Sequence, residues 1–290
     1  MVGLLIKNEF YKLGRCRLFY ISLGISLAIG LCAAAASIGL FNQQFYLAID
    51  QLDFYYTMPF SWSPFTQWLP VTRVAFWTSV YVFIAPLLVV LGYSWTLRTE
   101  LSDGYAAQWF VRTNYPSYVT AKAFAAFVAG GLITALPLLV NFIVLACFIP
   151  LYQPSIVDVI GFGVYERVPL SGLFYQSPFL FVALRLAVNF ALGGAWGALV
   201  MMASLFARNR VVLVVGSYCA VVALKLVSEQ VYPVIYGLTG MRGEAVSLID
   251  LLRVSGDSYN YTVGTLCFCL VAMIAVAAIL FAVSMRRDRL

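Results

Sequence analysis

Long uncharged stretches recur along the chain at a length that matches a lipid bilayer. A hydrocarbon core of about 30 Å needs about 20 apolar residues of helix, and four stretches of that length contain no Asp, Glu, Lys or Arg. Two more are interrupted only by Arg185, or by Lys225 and Glu229. The pattern predicts an all-α membrane protein with six transmembrane helices. The predicted spans are about 18–40, 76–97, 123–149, 178–207, 211–238 and 262–285.

The N-terminal residues 1–17 are too polar to insert, but their apolar positions have helical spacing. Ile6, Phe10 and Leu13 recur at intervals of four and three residues, and basic residues lie on the opposite side. We therefore predict an amphipathic helix in the membrane interface. A simple juxtamembrane anchor has the same pattern. For the first span the alternative is a cleaved signal peptide, although its apolar stretch exceeds the roughly 7–15 residues usual there.

The predicted external loop 41–75 contains ten aromatic residues and a single basic one. Disordered loops are poor in aromatic residues, so this loop is predicted to be ordered. Trp and Tyr favour the headgroup level of a bilayer. Two interpretations are open: an aromatic belt that anchors two helix ends, and an amphipathic element that faces a substrate.

The segment 98–122, between the second and third spans, has its own helix signals. Ser102 or the next residue, Asp103, is a suitable N-cap for a short helix, and the Asn-Tyr-Pro sequence at 114–116 would end that helix. The predicted short helix lies across the cytoplasmic surface and exposes Tyr105, Trp109 and Phe110. Exposed apolar area of this kind favours a docking surface for a cytosolic partner. The alternative is that the three aromatic side chains enter the headgroup region.

Basic residues are concentrated on one side of the predicted spans. With both termini inside, twelve of the eighteen Lys and Arg residues are cytoplasmic, but only four of the twelve acids. This is the distribution that the positive-inside rule describes. The net charge of +6 is therefore interpreted as a topology signal, and no nucleic-acid partner is predicted.

The composition narrows the possible chemistry. Apolar residues make up 63% of the chain and charged residues 10%, against roughly 45–50% and about 25% in globular proteins. Histidine is absent and the six cysteines show no CxxC spacing, which argues against His-based catalysis and zinc binding. No GxxxxGK[ST] motif occurs, so ATP-driven work requires a second polypeptide. We predict that the chain is not an enzyme, holds no cofactor and binds no metal.

Polar side chains inside the spans are candidates for a transport pathway, because charged groups there are expensive. The candidates are Arg185, Asn189, Lys225 and Glu229. Structural alternatives exist for each charge. Arg185 lies near the external end of its span and can snorkel outward, whereas Lys225 and Glu229 are four residues apart and can neutralise each other. Asn189, one turn from Arg185, would extend a polar stripe.

Small residues and prolines mark the places where spans pack or bend. Gly193 and Gly197 form a GxxxG motif, which permits close helix approach either within the chain or in a dimer. Pro86 and Pro137 lie inside the second and third spans and predict kinks there.

Three short stretches resemble the membrane subunits of ABC-2 type ABC transporters. LIKNEFYKLGRCR at 5–17 is similar to the family's N-terminal helix, and LFARNR at 205–210 to the basic turn between its fourth and fifth spans. Four residues of the segment 98–122 match the family's coupling region: Glu100, Gly104, Arg112 and Lys122. A departure is Tyr105, where the family commonly has Thr. The six-span topology is similar over the whole chain.

The resemblance implies a permease subunit of an ATP-dependent exporter in the cell membrane, with both termini cytoplasmic. Its partners would be a cytosolic ABC ATPase dimer, which carries the ATP and Mg, a second copy of itself or a sister permease, and membrane lipids. The ATPase would contact the helix that carries Glu100, Gly104, Tyr105, Trp109, Phe110 and Arg112. The substrate would be amphipathic: a peptide, a lipid or a drug-like molecule. The alternatives are a membrane-embedded lipid-acting enzyme or accessory protein, and a stand-alone channel or secondary carrier.

Overall fold

The described part of the chain is helical and contains no strand. The computed structural model describes residues 2–50, 62–72, 76–105, 108, 113–154, 164, 168–207, 209–239, 243–254 and 261–287. The helices of these residues are α1 (Val2–Leu13), α2 (Arg17–Asp50), α3 (Pro64–Gln67), α4 (Phe76–Val89), α5 (Thr96–Ser102), α6 (Tyr115–Phe148), α7 (Ser171–Gln176), α8 (Pro178–Ala203), α9 (Arg210–Thr239), α10 (Leu248–Leu251) and α11 (Val263–Arg287).

Among the described residues six helices are long and apolar enough to cross a membrane. They are α2, the continuous pair α4 and α5, α6, α8, α9 and α11. The predicted number of spans is therefore confirmed, and the chain is a multi-pass membrane protein. The helix α1 is also present where the N-terminal helix is predicted, while its placement in a membrane interface stays a prediction.

Two spans, α2 and α6, extend furthest beyond their uncharged stretches. The helix α2 continues to Asp50, about ten residues into the predicted loop 41–75. The helix α6 begins at Tyr115, so Lys122 lies inside it. Polar residues stop a helix from being buried in hydrocarbon, but they do not stop it from being a helix. Pro116 occupies the first turn of α6, where a missing N–H costs nothing.

The second span changes its winding one turn after its proline. Pro86 lies inside α4, and a π-helical turn, Val90–Ser94, joins α4 to α5. The Ser94 hydroxyl donates to the Gly197 carbonyl at 3.0 Å, and the Cys16 thiol lies 3.7 Å from the Gly92 carbonyl. The widened turn is therefore in direct contact with both α8 and the start of α2.

The helices α6 and α8 cross at the centre of the bundle through their small residues. A Cβ added to Gly130 would lie 2.4 Å from the Gly193 carbonyl oxygen, and one added to Gly197 would lie 2.8 Å from the Ala126 carbonyl oxygen. The Thr134 hydroxyl donates to the Asn189 carbonyl at 2.9 Å. The GxxxG motif thus serves packing within the chain, which is one of its two predicted uses.

The helix α1 and the α5–α6 connection lie at one end of the bundle, which we call the terminal face. The end of α11 lies there too, since the hydroxyls of Tyr115 and Ser284 are 3.3 Å apart. The other end, which carries α3, α7 and α10, we call the distal face.

Residues 62–72 of the aromatic loop lie in the bundle rather than on its surface. Phe65 and Trp68 are buried, and the Trp68 indole donates to the Leu138 carbonyl at 2.9 Å. A capping box between Ser63 and Thr66 begins α3. Neither the belt interpretation nor the surface element describes residues 62–72. The buried capping box and the indole hydrogen bond make it a packed segment, whereas 51–61 and 73–75 lie outside the described residues.

Candidate functional site

Four charged side chains meet at the terminal face and form what we call the terminal cluster: Glu9, Lys12, Glu100 and Lys122. The Lys12 ammonium lies 2.8 Å from the Glu9 carboxylate and 3.1 Å from that of Glu100. Lys122 lies 3.2 Å from the Glu9 carboxylate and also pairs with Glu100. Each carboxylate is therefore placed between two ammonium groups. The cluster joins α1, α5 and α6, which are distant in sequence.

The terminal cluster is largely buried, and each of its charged side chains is paired; Lys12 and Glu100 keep 23% and 17% of their side chains exposed. Lys122 is fully buried and Glu9 is 2% exposed. The Tyr93 hydroxyl donates to Glu9 Oε2 at 2.8 Å, and the Tyr118 hydroxyl donates to Glu100 Oε2. Charges taken out of water are tolerated when they are paired and hydrogen-bonded. The arrangement is thus a saturated network that depends on all of its members.

The pKa shifts of Glu9 and Lys12 on α1 are those of ionised groups that stabilise each other. Burial alone would raise the pKa of Glu9, but Lys122 and Lys12 outweigh it and hold that pKa below the usual value. Burial alone would lower the pKa of Lys12, but its contacts with Glu9 and Glu100 raise it above the usual value. Both groups are ionised at neutral pH because each stabilises the other's charge.

Glu9 was not among the predicted site residues. The predicted apolar face of α1 passed through Ile6, Phe10 and Leu13, whereas Leu5, Glu9 and Leu13 are its buried positions. These three residues are spaced by four, so the sequence did contain the signal. An acid on an otherwise apolar helix face indicates a buried partner of opposite charge.

The predicted coupling residues are only partly described. Glu100 is a member of the terminal cluster. Gly104 follows α5 with a φ of +72°, a conformation that glycine adopts readily after a helix end. Tyr105 is 37% exposed, and its ring centroid lies 4.7 Å from the Lys12 ammonium. Trp109, Phe110 and Arg112 lie outside the described residues, and so does the predicted short helix around them.

A second charged group, the distal cluster, consists of Arg185, Lys225, Glu229 and Asp250. The predicted pair is formed, with the Lys225 ammonium 3.3 Å from the Glu229 carboxylate. The ammonium is closer to Asp250, at 2.8 Å. Asp250 was missed because it lies on the short helix α10, between the predicted spans 211–238 and 262–285. Ser247 caps that helix, which was the available signal.

Arg185 is buried, and the expectation that it snorkels outward is wrong. It is 2% exposed, and its Nη2 donates to the carbonyls of Leu251 and Arg253, at 2.6 Å to Leu251. The physical reason is that residues 243–254 fold over this end of α8 and present the free carbonyls that end α10. A guanidinium satisfies such carbonyls in place of water. Arg185 therefore positions α10.

Asn189 continues the polar stripe of α8 into the bundle. It is fully buried, and neither its Nδ2 nor its Oδ1 has a hydrogen-bond partner among the described residues. The same holds for the Nε of Arg185. An unpaired buried polar group costs about 1–3 kcal/mol. This stripe thus has hydrogen-bonding capacity that the fold does not use.

An apolar cavity of about 400 Å³ lies beside the distal cluster. Its walls come from α8, α9, α10 and α11. Leu224, directly before Lys225, lines the cavity, and so does Leu251, directly after Asp250. Other lining residues are Trp196, Val221, Phe268 and Met273. The cavity itself is lined by apolar residues, and the charges of the distal cluster occupy neighbouring positions of α9 and α10.

The described residues contain no group of three His, Cys, Asp or Glu side chains arranged to hold a metal ion. Comparison with family models, with curated proteins and with solved structures gives no match to this chain. A functional assignment therefore depends on the two clusters and on the sequence patterns.

Proposed function

We propose that the chain is the transmembrane permease subunit of an ATP-dependent exporter, driven by a separate cytosolic ABC ATPase dimer. The ATPase would bind the ATP and Mg. The resemblance of the stretches 5–17, 98–122 and 205–210 to ABC-2 permeases supports this proposal, together with the six spans. The observation that carries it is the terminal cluster, because it connects the proposed coupling segment to the bundle.

The terminal cluster gives a physical route for coupling. Glu100 is near the end of the second span, at the start of the segment that would contact the ATPase. Its carboxylate holds Lys12 of α1 and Lys122 of α6. Since buried ion pairs break only at high cost, a push on this segment would move α1 and the central helix α6 together. In this proposal the terminal face and both termini are cytoplasmic.

The apolar cavity near the distal cluster supports the apolar part of an amphipathic substrate. A cavity of about 400 Å³ is within the range of roughly 300–1,000 Å³ that small-molecule sites occupy. Its apolar walls suit an acyl chain or an aromatic ring. Lys225 and Asp250 are directly next in sequence to its lining residues Leu224 and Leu251. Arg185 and Asn189 lie on the same face of α8 as the lining residue Trp196, nearer the start of that helix.

The lipid-facing helices support the proposed partners. In the most apolar stretch of each spanning helix, only 11% of α11 and 22% of α9 is buried, against 61% of the second span. Their exposed side chains are large and apolar, so in a membrane they contact lipid, a second copy of the chain or a sister permease. We propose the cell membrane as the location.

Co-purification followed by a coupling assay tests the proposal. A tagged chain should co-purify with an ATPase that contains GxxxxGK[ST], encoded by a neighbouring reading frame. In proteoliposomes, Glu100→Gln should reduce substrate-stimulated ATP hydrolysis severalfold, because the carboxylate that links α1 to α6 is lost. Asp103→Asn is the matched control, since Asp103 is exposed and three residues away. Failure to find such an ATPase, or normal coupling in Glu100→Gln, would contradict the proposal.

A stand-alone secondary carrier is the second candidate, and the distal cluster favours it. Carriers use buried titratable groups inside the membrane, and Lys225 lies between the carboxylates of Glu229 and Asp250. Proteoliposomes with this chain alone distinguish the two candidates. Uptake driven by a proton gradient without ATPase would favour the carrier.

A further inference from the structure

A second cavity opens at the terminal face, between α2, the π-helical turn and α9. It has a volume of about 380 Å³. Leu18, Leu91 and Val214 are among its apolar walls, and Trp95 and Arg210 are its remaining polar or amphipathic members. We call it the terminal groove. Its lining contains one guanidinium and no carboxylate.

Arg210 differs from the three lysines that are paired in the clusters. Its guanidinium lies 5.9 Å from the centroid of the Trp95 ring, which holds it over the groove. Within the part of the chain that the structure describes, no carboxylate forms an ion pair with it. Arg210 is exposed, and so is Arg17 directly before Leu18. The groove thus has an apolar wall and an exposed guanidinium, that of Arg210.

The position of the groove determines what it meets in a membrane. Leu18 and Arg210 are at the starts of two spanning helices, α2 and α9, and both helices start at the terminal face. That level is the boundary between hydrocarbon and headgroups. Basic pockets between spanning helices at this boundary bind anionic lipid headgroups, and the adjoining apolar wall suits an acyl chain.

We propose that the terminal groove is a binding site for an anionic phospholipid. Its phosphate lies against Arg210, and an acyl chain lies along Leu18, Leu91 and Val214. This inference is independent of the transport function proposed above. It requires only that the chain spans a membrane.

A lipid in this place joins parts of the bundle that otherwise touch little. The groove has α9 on one side, and only 22% of the most apolar stretch of α9 is buried. Leu91 on the other side belongs to the π-helical turn, which contacts α8 through Ser94. The bound lipid therefore fastens α9 to the second span, so it should raise the thermal stability of the whole chain.

The test compares lipids and variants on the full chain in nanodiscs. The lipids are phosphatidylglycerol, phosphatidylcholine and their brominated forms, and the variants are Arg210→Gln and the control Arg286→Gln, which removes an exposed charge at the end of α11. We expect phosphatidylglycerol to raise the melting temperature more than phosphatidylcholine does. Arg210→Gln should bind it about tenfold more weakly, because a charge-assisted contact is lost, whereas Arg286→Gln should bind it normally.

Fluorescence places the lipid. Brominated phosphatidylglycerol should quench Trp95, measured as the difference between the wild-type chain and Trp95→Phe, and Val214→Trp should prevent binding by filling the groove. If Arg210→Gln does not fold, Arg210→Lys replaces it and should keep most of the binding. Equal effects of the two lipids, equal effects of Arg210→Gln and Arg286→Gln, or an equal shift with glycerol phosphate alone would each overturn the proposal.

Discussion

The two charged clusters differ in how completely their polar atoms are paired. In the terminal cluster two acids and two bases alternate, and Tyr93 and Tyr118 fill the remaining positions. In the distal region Asn189 and the Nε of Arg185 have no partner among the described residues, and a cavity lies alongside. A fully satisfied network fixes one geometry, whereas a partly satisfied one leaves capacity for something else to bind. The first suits the transmission of force and the second suits recognition.

The largest expected effect comes from removing one charge of the saturated network. Lys122→Met leaves Glu9 and Glu100 buried with Lys12 as their remaining ammonium partner in the cluster. Breaking a buried pair in this way typically costs about 3–5 kcal/mol. We therefore expect a large fall in the melting temperature of the purified chain.

Lys7→Met is the matched control, because Lys7 is an exposed lysine on α1. It should leave the melting temperature nearly unchanged. A small effect of Lys122→Met, comparable to that of Lys7→Met, would show that the terminal cluster is not the rigid element that the comparison requires.

A smaller effect is expected from pH. The pKa of Glu9 is lowered from its usual 4.5, so its stabilisation is complete above that value and is lost as pH falls through the lowered pKa. The pKa of Lys12 is raised from 10.5, so its stabilisation is complete below 10.5 and is lost as pH rises through the raised pKa. Between these limits the contribution of α1 should be constant.

A cysteine introduced at Gly3 measures the release of α1 from the bundle through its accessibility to a thiol reagent. Gly3 is exposed, and an added Cβ would have no atom within 4 Å. Labelling of this site should increase at low pH, and in a Glu9→Gln variant it should be raised already at neutral pH. Labelling that does not depend on Glu9 would show that α1 is held by its apolar contacts alone.

The spans could be predicted from sequence, but the clusters could not. Uncharged length is a local property, which is why the six spans were found. The terminal cluster needs α1, α5 and α6 to meet. Its four residues lie in the stretches 5–17 and 98–122, which were singled out through resemblance, but no pattern in the sequence predicts that they are in contact. Asp250 is 25 residues from Lys225, and no local pattern connects them.

Arg185 shows the same limit in another form. Its distance from the end of its span was estimated correctly, but whether that end was open to headgroups depended on residues 243–254. Their fold over α8 is a tertiary property, since it is held by Asp250 on Lys225 and by the Val254 amide, which donates to the Pro70 carbonyl at 2.9 Å.

The smallest effect on stability, and the sharpest test of the comparison, is expected for Asn189→Leu. In a saturated network the loss of a polar side chain destabilises the fold, because its partners are left unpaired. The side chain of Asn189 has no hydrogen-bond partner among the described residues, so an apolar residue of similar size should leave the melting temperature unchanged or raise it slightly. If the stripe binds substrate, transport should nevertheless fall. The loss should appear mainly as a higher substrate concentration for half-maximal transport. A melting temperature that drops as it does in Lys122→Met would mean that Asn189 has partners that stabilise the fold, and the distinction between the two regions would then be lost.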